Sequence, residues 1–389
     1  MKTINLNHKI YRLAWLLDPS LEIERLSLSP YEKDVVRFCR QWLAGQETFT
    51  VTTSGSTGRP KPITLTRPQM IASAHLTGQA LELQPGDQTL VCLSTQYIAG
   101  MMMLVRGFEL ELELTIIDPS GQPLSDFSSD THFDFSAFVP LQLEQILTES
   151  PGKRAMLNRM KAILIGGAPL SLALKEQLQA ITTPIYHTYG MTETVSHIAL
   201  KRLNGPHASD YFVPLPGVEI GLDHRGCLTI KATVTNDQTV YTNDLAELRP
   251  DGSFKWLGRV DNVINSGGVK IQIEKVEAVL ETVLHTLRHG RYAGRRFTVG
   301  PLPHPHLGQS VVAIIEGEPF SPAEQVEIRS ILRQTLTKYE TPRTFYFLPT
   351  LPETPTGKID RVACLKKMAP HSGDITSNRP AQIEIPPQL

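Results

Sequence analysis

Residues 52–66 read TTSGSTGRPKPITLT, with strand-like alternation before them in TFTVTT and after them in PITLT. A strand, a loop of glycines and hydroxyls, one lysine and a second strand can hold an anion. The glycines let backbone N–H groups approach closely, Thr53, Ser54, Ser56 and Thr57 add donors, and Lys61 adds charge. A flexible glycine–serine connector has the same composition. The spacing excludes a Walker A loop, because Gly55 and Gly58 are too close together and Lys61 does not follow a glycine directly.

A chain of 389 residues suits two domains. With 38 basic and 39 acidic side chains, its charge gives no support to a nucleic-acid or anionic-membrane partner. Cys39, Cys92, Cys227 and Cys364 are widely separated, which reads as reduced thiols rather than a disulfide frame or zinc site. The N-terminus lacks a signal-peptide pattern, and no run approaches the roughly 20 apolar residues of a membrane span. A cytoplasmic protein is expected.

Ser29, Pro30 and Glu32 mark a helix start, followed by Val35, Val36, Cys39, Trp42 and Leu43 at helical spacing. Helices are expected in PQMIASAHLTGQALEL and SLALKEQLQA, and buried strands in QTLVCLS, KAILIGG and PIYHTYG. That alternation predicts βαβ units on a largely parallel sheet. Beyond residue 210, VEIGLDHRGCLTIKA and TVYTNDLAELRPDGSFKWLGR read as hairpins. The last segment is α+β: a helix with Ile273, Val276, Leu280 and Val283 on one face, a strand SVVAIIEG, and a helix over 321–339 with a capping box at Ser321 and Glu324. The proline-rich stretch 369–389 reads as a disordered tail.

Further segments follow the opening loop in order: YHTYGMTET, YTNDLAEL, LGRVDNVINSGGVKIQIEKVE and PTGKIDR. Together with the loop they resemble the adenylate-forming superfamily of acyl-CoA synthetases, firefly luciferase and peptide-synthetase adenylation domains. The resemblance runs from Val51 to Arg361. Within it, CLSTQYIAGMMMLVRG, YGMTETVSHIALKRLNG and LGRVDNVINSGGVKI are similar to the o-succinylbenzoate–CoA ligase family in its short form. The chain departs from typical members in having only about fifty residues before the phosphate loop. The resemblance implies an α/β fold: a large N-terminal body of βαβ sub-lobes with a β-rich sub-lobe, then a small mobile α+β cap. The expected domains are a body at 1–259, a hinge at 260–261 and a cap at 262–368.

It also implies roles. Thr53, Ser54, Gly55, Ser56, Thr57, Gly58 and Lys61 would hold the β- and γ-phosphates of ATP. Thr192 would touch the α-phosphate and Glu193 would bind Mg²⁺. Tyr189, Gly190, Gly166, Gly167 and Ala168 would flank the adenine. Asp244 would accept from the ribose hydroxyls, backed by Arg259. Members usually carry glycine where Asn243 precedes Asp244; asparagine tolerates positive φ, so the expected turn survives. Asp261 matches the hinge. Lys358 would bridge the substrate carboxylate and the α-phosphate. Ser266, Gly267 and Gly268 would line the channel for the pantetheine arm of coenzyme A. Tyr97, Arg106, His187, Ser196 and His197 lie in segments that face the acid, and Thr95 and Gln96 adjoin them. Arg106 and His197 are candidates for a second carboxylate, with a purely structural or exposed role as the competing reading. MMML reads as core.

The implied partners are a small carboxylic acid, ATP and coenzyme A, and a homodimer is compatible with them. Another aryl or acyl acid, or a carrier-protein thiol, is a second reading within the superfamily. A nucleotide-binding protein without activity is a third.

Overall fold

Leu90, Val91, Phe135, Phe138, Ile163 and Ile165 are almost wholly removed from water, as expected of strands covered on both faces. They lie at the centre of a nine-stranded sheet in the order 213–214, 197–202, 185–190, 162–165, 135–138, 88–91, 113–116, 3–6, 9–12. The six strands from Ile185–Gly190 to Thr3–Leu6 run parallel, and the outer strands are antiparallel. Helices Ile98–Glu109, Pro140–Glu149 and Leu172–Leu178 make the crossovers. The predicted parallel βαβ sheet is therefore present. The computed structural model describes residues 2–52, 62–287, 290–354 and 358–368.

Two compact units make up the chain. The first holds residues 1–170, 174–242 and 247–255, and the second holds 171–173, 243–246 and 256–389. The division passes through the strands Val240–Leu248 and Phe254–Arg259 of a four-stranded sheet, whose other members, Glu219–Leu222 and Cys227–Lys231, pair antiparallel as the first expected hairpin. The expected tail lies outside the described residues.

In the large unit, helix Pro30–Leu43 starts as predicted: the Ser29 hydroxyl accepts from the Glu32 N–H, and the Glu32 carboxylate accepts from the Ser29 N–H. Strands Thr48–Thr52 and Pro62–Thr66 pair over their full length, with Thr52 opposite Pro62. The loop of residues 53–61, with its seven expected phosphate contacts, lies outside the described residues. The base of this hairpin is anchored by Trp42, which packs on Phe49 and Phe38, donates from Nε1 to Glu109, and carries the Arg67 guanidinium over its ring. Helix Arg67–Leu81 begins with a further capping box, Thr66 with Gln69. The MMML cluster is core, with Met102, Met103 and Leu104 fully buried.

In the second unit, helix Ile273–Thr286 buries Ile273, Val276, Leu280 and Val283 as expected. They face a sheet of strands Val269–Gln272, Val263–Ser266, Gly308–Glu316 and Phe297–His304, with Thr344–Leu348 pairing to Gly308–Glu316. The expected helix over 321–339 is corrected to Pro322–Leu332. Beyond it, Thr337 and Glu340 bond to each other's backbone N–H and close a separate turn.

All four cysteines are buried and unbridged. Burial pushes the Cys39 and Cys92 thiols up to about 12. No helix among the described residues is long and apolar enough to cross a membrane.

Trp42→Ala is expected to destabilise the large unit by about 3–5 kcal/mol, as a large aromatic removed from a packed core does. Ser29→Ala should cost only about 1 kcal/mol through its lost cap. Urea midpoints of the two variants should fall in that order.

Candidate active site

The turn after strand Ile185–Gly190 carries YGMTE. Thr192–Thr194 forms one 3-10 turn, closed by the Met191 N–H donating to Thr194 Oγ1 and by the Thr194 N–H donating to the Met191 carbonyl. Glu193 projects from it, exposed. Val195 follows at φ 64° and ψ −61°, fully buried, and the Ser196 N–H reaches back 2.7 Å to the Thr194 carbonyl. This is the strained γ-turn geometry, rare for a β-branched residue. Such a backbone costs about 1–3 kcal/mol and persists only where its surroundings enforce it. Here the Thr194 hydroxyl donates between the Met191 and Ser196 carbonyls and locks the turn.

The γ-turn swings Ser196 and His197 toward helix Ile98–Glu109. Arg106 on that helix is 3% exposed. Its Nε donates to Thr77 Oγ1 at 3.1 Å and its Nη2 to Ser196 Oγ at 3.1 Å, while Nη1 faces Met103 Sδ at 3.7 Å. His197 Nε2 lies 3.2 Å from the same Thr77 hydroxyl, and Ser73 Oγ lies 2.7 Å from Ser196 Oγ. No carboxylate among the described residues pairs with Arg106, and burial lowers its pKa to about 10. Burial and the Arg106 charge together hold His197 well below the ordinary histidine range, so its ring stays neutral. A guanidinium has five donors; three are matched, by two hydroxyls and a weak sulfur acceptor.

The structure thus brings Arg106, Ser196 and His197 together. Tyr97 stands at the N-cap of the Arg106 helix, 42% exposed, and Gln96 donates to Asp34. The Thr95 hydroxyl is buried without a partner among the described residues. His187 faces elsewhere: its ring lies 5.5 Å from Phe212, its Nδ1 has no partner among the described residues, and burial lowers its pKa to about 3.

Tyr189 packs edge-on to Phe254, with ring centroids 5.1 Å apart, and also contacts Phe212. Gly166, Gly167 and Ala168 follow the neighbouring strand Ala162–Ile165. A side chain at Gly166 would come within 2.2 Å of Thr188 Oγ1, and Gly167 has φ +86°, so both positions require glycine. Gly190 is equally constrained, because a Cβ there would meet the Ser196 carbonyl at 2.2 Å.

The remaining candidates lie in the second unit. Asp244 is 7% exposed and its Oδ1 accepts from Trp256 Nε1 at 3.2 Å, with Arg259 Nη1 at 3.7 Å. Arg259 grips Asp261 through Nε and Nη2 at 2.9 and 2.7 Å; this contact lowers the Asp261 carboxyl and raises the guanidinium. Asn243 is a correction: it is not among the positive-φ residues and lies inside strand Val240–Leu248, so no turn precedes Asp244. Its side chain instead donates to Asp261. Ser266, Gly267 and Gly268 form a hairpin turn, with φ +59° and +82° at the glycines, where a two-residue connection needs left-handed backbone twice. Lys358 is exposed, with its N–H on Thr354 Oγ1. Partial burial lowers its ammonium from the ordinary lysine value.

The AMP-binding enzyme family matches residues 33–227, and the C-terminal domain of AMP-binding enzymes matches residues 297–358. The chain belongs to the AMP-binding enzyme family. Among relatives of this AMP-binding enzyme is a probable 2-succinylbenzoate–CoA ligase of Mycobacterium tuberculosis, 30% identical, with 82% of this chain and 84% of that one covered. Among solved structures, an acyl-CoA synthetase (AMP-forming)/AMP-acid ligase II-like protein from Dyadobacter fermentans is 46% identical with a TM-score of 0.58, covering 87% of this chain and 95% of that one. The o-succinylbenzoate CoA synthetase of Bacillus subtilis, solved with its acyl-adenylate intermediate, shares the fold at a TM-score of 0.65 and 23% identity, over 80% of this chain and 68% of that one.

Residues missed in the sequence of this AMP-binding enzyme are Ser73 and Thr77. Their signal was present: two hydroxyls four apart, on the face of helix Arg67–Leu81 that also buries Met70, Ala74 and Leu81.

The depressed His187 and His197 fix a pH dependence. Each stays neutral when folded and binds a proton when unfolded, so its contribution is fully present above pH 6.5 and is lost as pH falls toward the folded pKa, about 3 for His187. Stability should drop by about 1.4 kcal/mol per pH unit per histidine below 6.5. In denaturant titrations between pH 7 and 5, His187→Gln should show a shallower decline than the unsubstituted protein.

Proposed function

We propose that the protein is a cytoplasmic, AMP-forming acid–CoA ligase whose acid is o-succinylbenzoate, the intermediate activated in menaquinone synthesis. Family membership carries the reaction class. The observation that carries the acid is Arg106: a buried cation with hydroxyl partners, no carboxylate among the described residues, and N–H bonds left for an anion. An acid activated at one carboxylate leaves Arg106 without a counter-ion unless it brings a second. o-Succinylbenzoate brings two, and a guanidinium binds carboxylate in bidentate fashion.

In the first step, a carboxylate oxygen attacks the α-phosphorus of ATP. The bond to the β-phosphate bridge breaks, pyrophosphate leaves and an acyl-adenylate remains. In the second, a thiolate attacks the acyl carbon, the carbon–oxygen bond to phosphate breaks and AMP leaves. Charge gathers on phosphate oxygens in both, so preorganised positive groups and donors supply most of the rate. Thr53, Ser54, Gly55, Ser56, Thr57, Gly58 and Lys61 hold the β- and γ-phosphates. Thr192 donates to the α-phosphate, and Lys358 spans that phosphate and the attacking carboxylate. Tyr189, Gly166, Gly167 and Ala168 flank the adenine, Asp244 and Arg259 take the ribose, and Gly267 and Gly268 leave room for pantetheine. The small domain turns at Asp261 between the steps, removing Lys358 before the thiol arrives.

Magnesium fits the donors present. No group of three metal-ligating side chains occurs among the described residues, and Mg²⁺ is commonly held by one or two carboxylates plus substrate phosphates. The exposed Glu193 carboxylate at the YGMTE turn would supply that oxygen. The ion, when bound, neutralises phosphate charge.

Pyrophosphate release with ATP and Mg²⁺ tests the reading over a panel of o-succinylbenzoate, benzoate, a medium-chain fatty acid and amino acids, with and without CoA. Turnover with o-succinylbenzoate that depends on CoA is the expected result; turnover with another acid would overturn the substrate, and silence the reaction. Lys358→Ala should slow adenylate formation about 10²–10³-fold, and equal loss in thioester formation would remove its assigned role. Arg106→Met should raise KM for o-succinylbenzoate at least about 10-fold, the effect of losing one charged hydrogen bond, while KM for ATP stays put.

A further inference from the structure

The segment that carries Lys358 is tied at its base. Thr354 and Lys358 exchange contacts, the Thr354 N–H donating to the Lys358 carbonyl at 2.7 Å and the Lys358 N–H to Thr354 Oγ1 at 3.2 Å. Glu353 bridges to Ile359, and the Asp360 N–H donates to the Pro352 carbonyl at 2.8 Å. Asp360 then caps helix Arg361–Met368, its Oδ1 accepting from the Ala363 N–H. These ties close the segment on itself, and the Arg296–Glu353 ion pair and the Leu351 N–H on Glu316 fasten its start to the sheet of its own unit.

A further cluster fastens its end. Arg361 Nη2 donates to both oxygens of Glu277, at 3.0 and 3.2 Å, and its Nε donates to Thr298 Oγ1 at 3.1 Å. Glu277 Oε1 also accepts from the Val299 N–H at 2.9 Å and lies 3.3 Å from the Thr298 hydroxyl. Glu277 sits on helix Ile273–Thr286 and Thr298 on strand Phe297–His304, so the cluster joins two core elements to the residue three places after Lys358. Beside it, helix Arg361–Met368 lies so close to that strand that a Cβ at Gly300 would fall 2.7 Å from Leu365 Cδ1.

We infer that Glu277 is a positioning residue for Lys358, acting through Arg361. The inference rests on the reading of Lys358 as the adenylating lysine. A carboxylate that accepts a guanidinium and a backbone N–H together holds the start of the helix in one place. Lys358, on the short tied segment before it, inherits that placement. A lysine that must meet a phosphorus and a carboxylate at once tolerates little displacement, and an ångström of misplacement from outside the chemistry can cost about 10²-fold.

The test uses the full chain and the half-reactions apart. Pyrophosphate release from ATP, Mg²⁺ and o-succinylbenzoate reports adenylation; thioester formation from supplied o-succinylbenzoyl-adenylate and CoA reports the second step. Glu277→Gln should lower adenylation about 10- to 100-fold and leave thioester formation within about twofold. The paired exchange Glu277→Arg with Arg361→Glu should recover part of the loss. Equal loss in both half-reactions of Glu277→Gln, with a lowered melting temperature, would make the cluster merely structural and overturn the inference. Unchanged adenylation in Glu277→Gln, alongside its loss in Lys358→Ala, would overturn it while leaving the lysine's role intact. Full adenylation by Lys358→Ala would remove the underlying reading and the inference with it.

Discussion

A guanidinium carried out of water governs the packing around Arg106 in the large unit. Moving such an ion into a protein interior costs several kcal/mol unless the lost hydration is replaced. An aspartate beside Arg106 would replace it and cancel the charge that an anion needs. The fold uses neutral dipoles instead: the hydroxyls of Thr77 and Ser196 and the sulfur of Met103. They support the cation without neutralising it. A neutral His197, the strained backbone at Val195 and the hydroxyls of helix Arg67–Leu81 accompany it.

Glycine makes the geometry attainable. Helix Ile98–Glu109 presses on the chain before it so closely that a Cβ at Gly100 would fall 2.2 Å from the Ser94 carbonyl, and one at Gly107 would fall 2.4 Å from Leu114. The helix lies flush against strand Glu113–Ile116 and so sets the depth of Arg106. From the other side, the register shift between His197 and Ala199 in strand His197–Arg202 turns His197 inward just after the γ-turn. A helix held by close glycine contacts and a strand held by strain converge on one hydroxyl, that of Thr77.

Local chemistry was the legible part of the sequence. The boxes at Ser29 and Ser321 give helix starts because a hydroxyl and a carboxylate three residues apart satisfy two N–H groups in almost any context. Long-range placement was less legible. Strand Phe297–His304 contains Pro301 and Pro303, which argue against a strand; both are tolerated because it pairs with Gly308–Glu316 alone, at a sheet edge. The resemblance implied a turn at Asn243, where members carry glycine, yet its strand neighbours keep it extended. In the site, Arg106 and His197 were visible as residue types, whereas their shared partner Thr77 is 120 residues from His197 in the chain and could emerge only from packing.

The buried cysteines have a chemical consequence for a catalyst that passes an activated acyl group to sulfur. The thiolate is the nucleophile, and burial keeps Cys39 and Cys92 protonated at neutral pH while all four side chains are shut away from solvent. The protein therefore offers no accessible rival thiol of its own. An acyl-adenylate held in its site meets the sulfur of the incoming co-substrate, and the enzyme is spared both acylation of its cysteines and mixed disulfides with the thiol it serves.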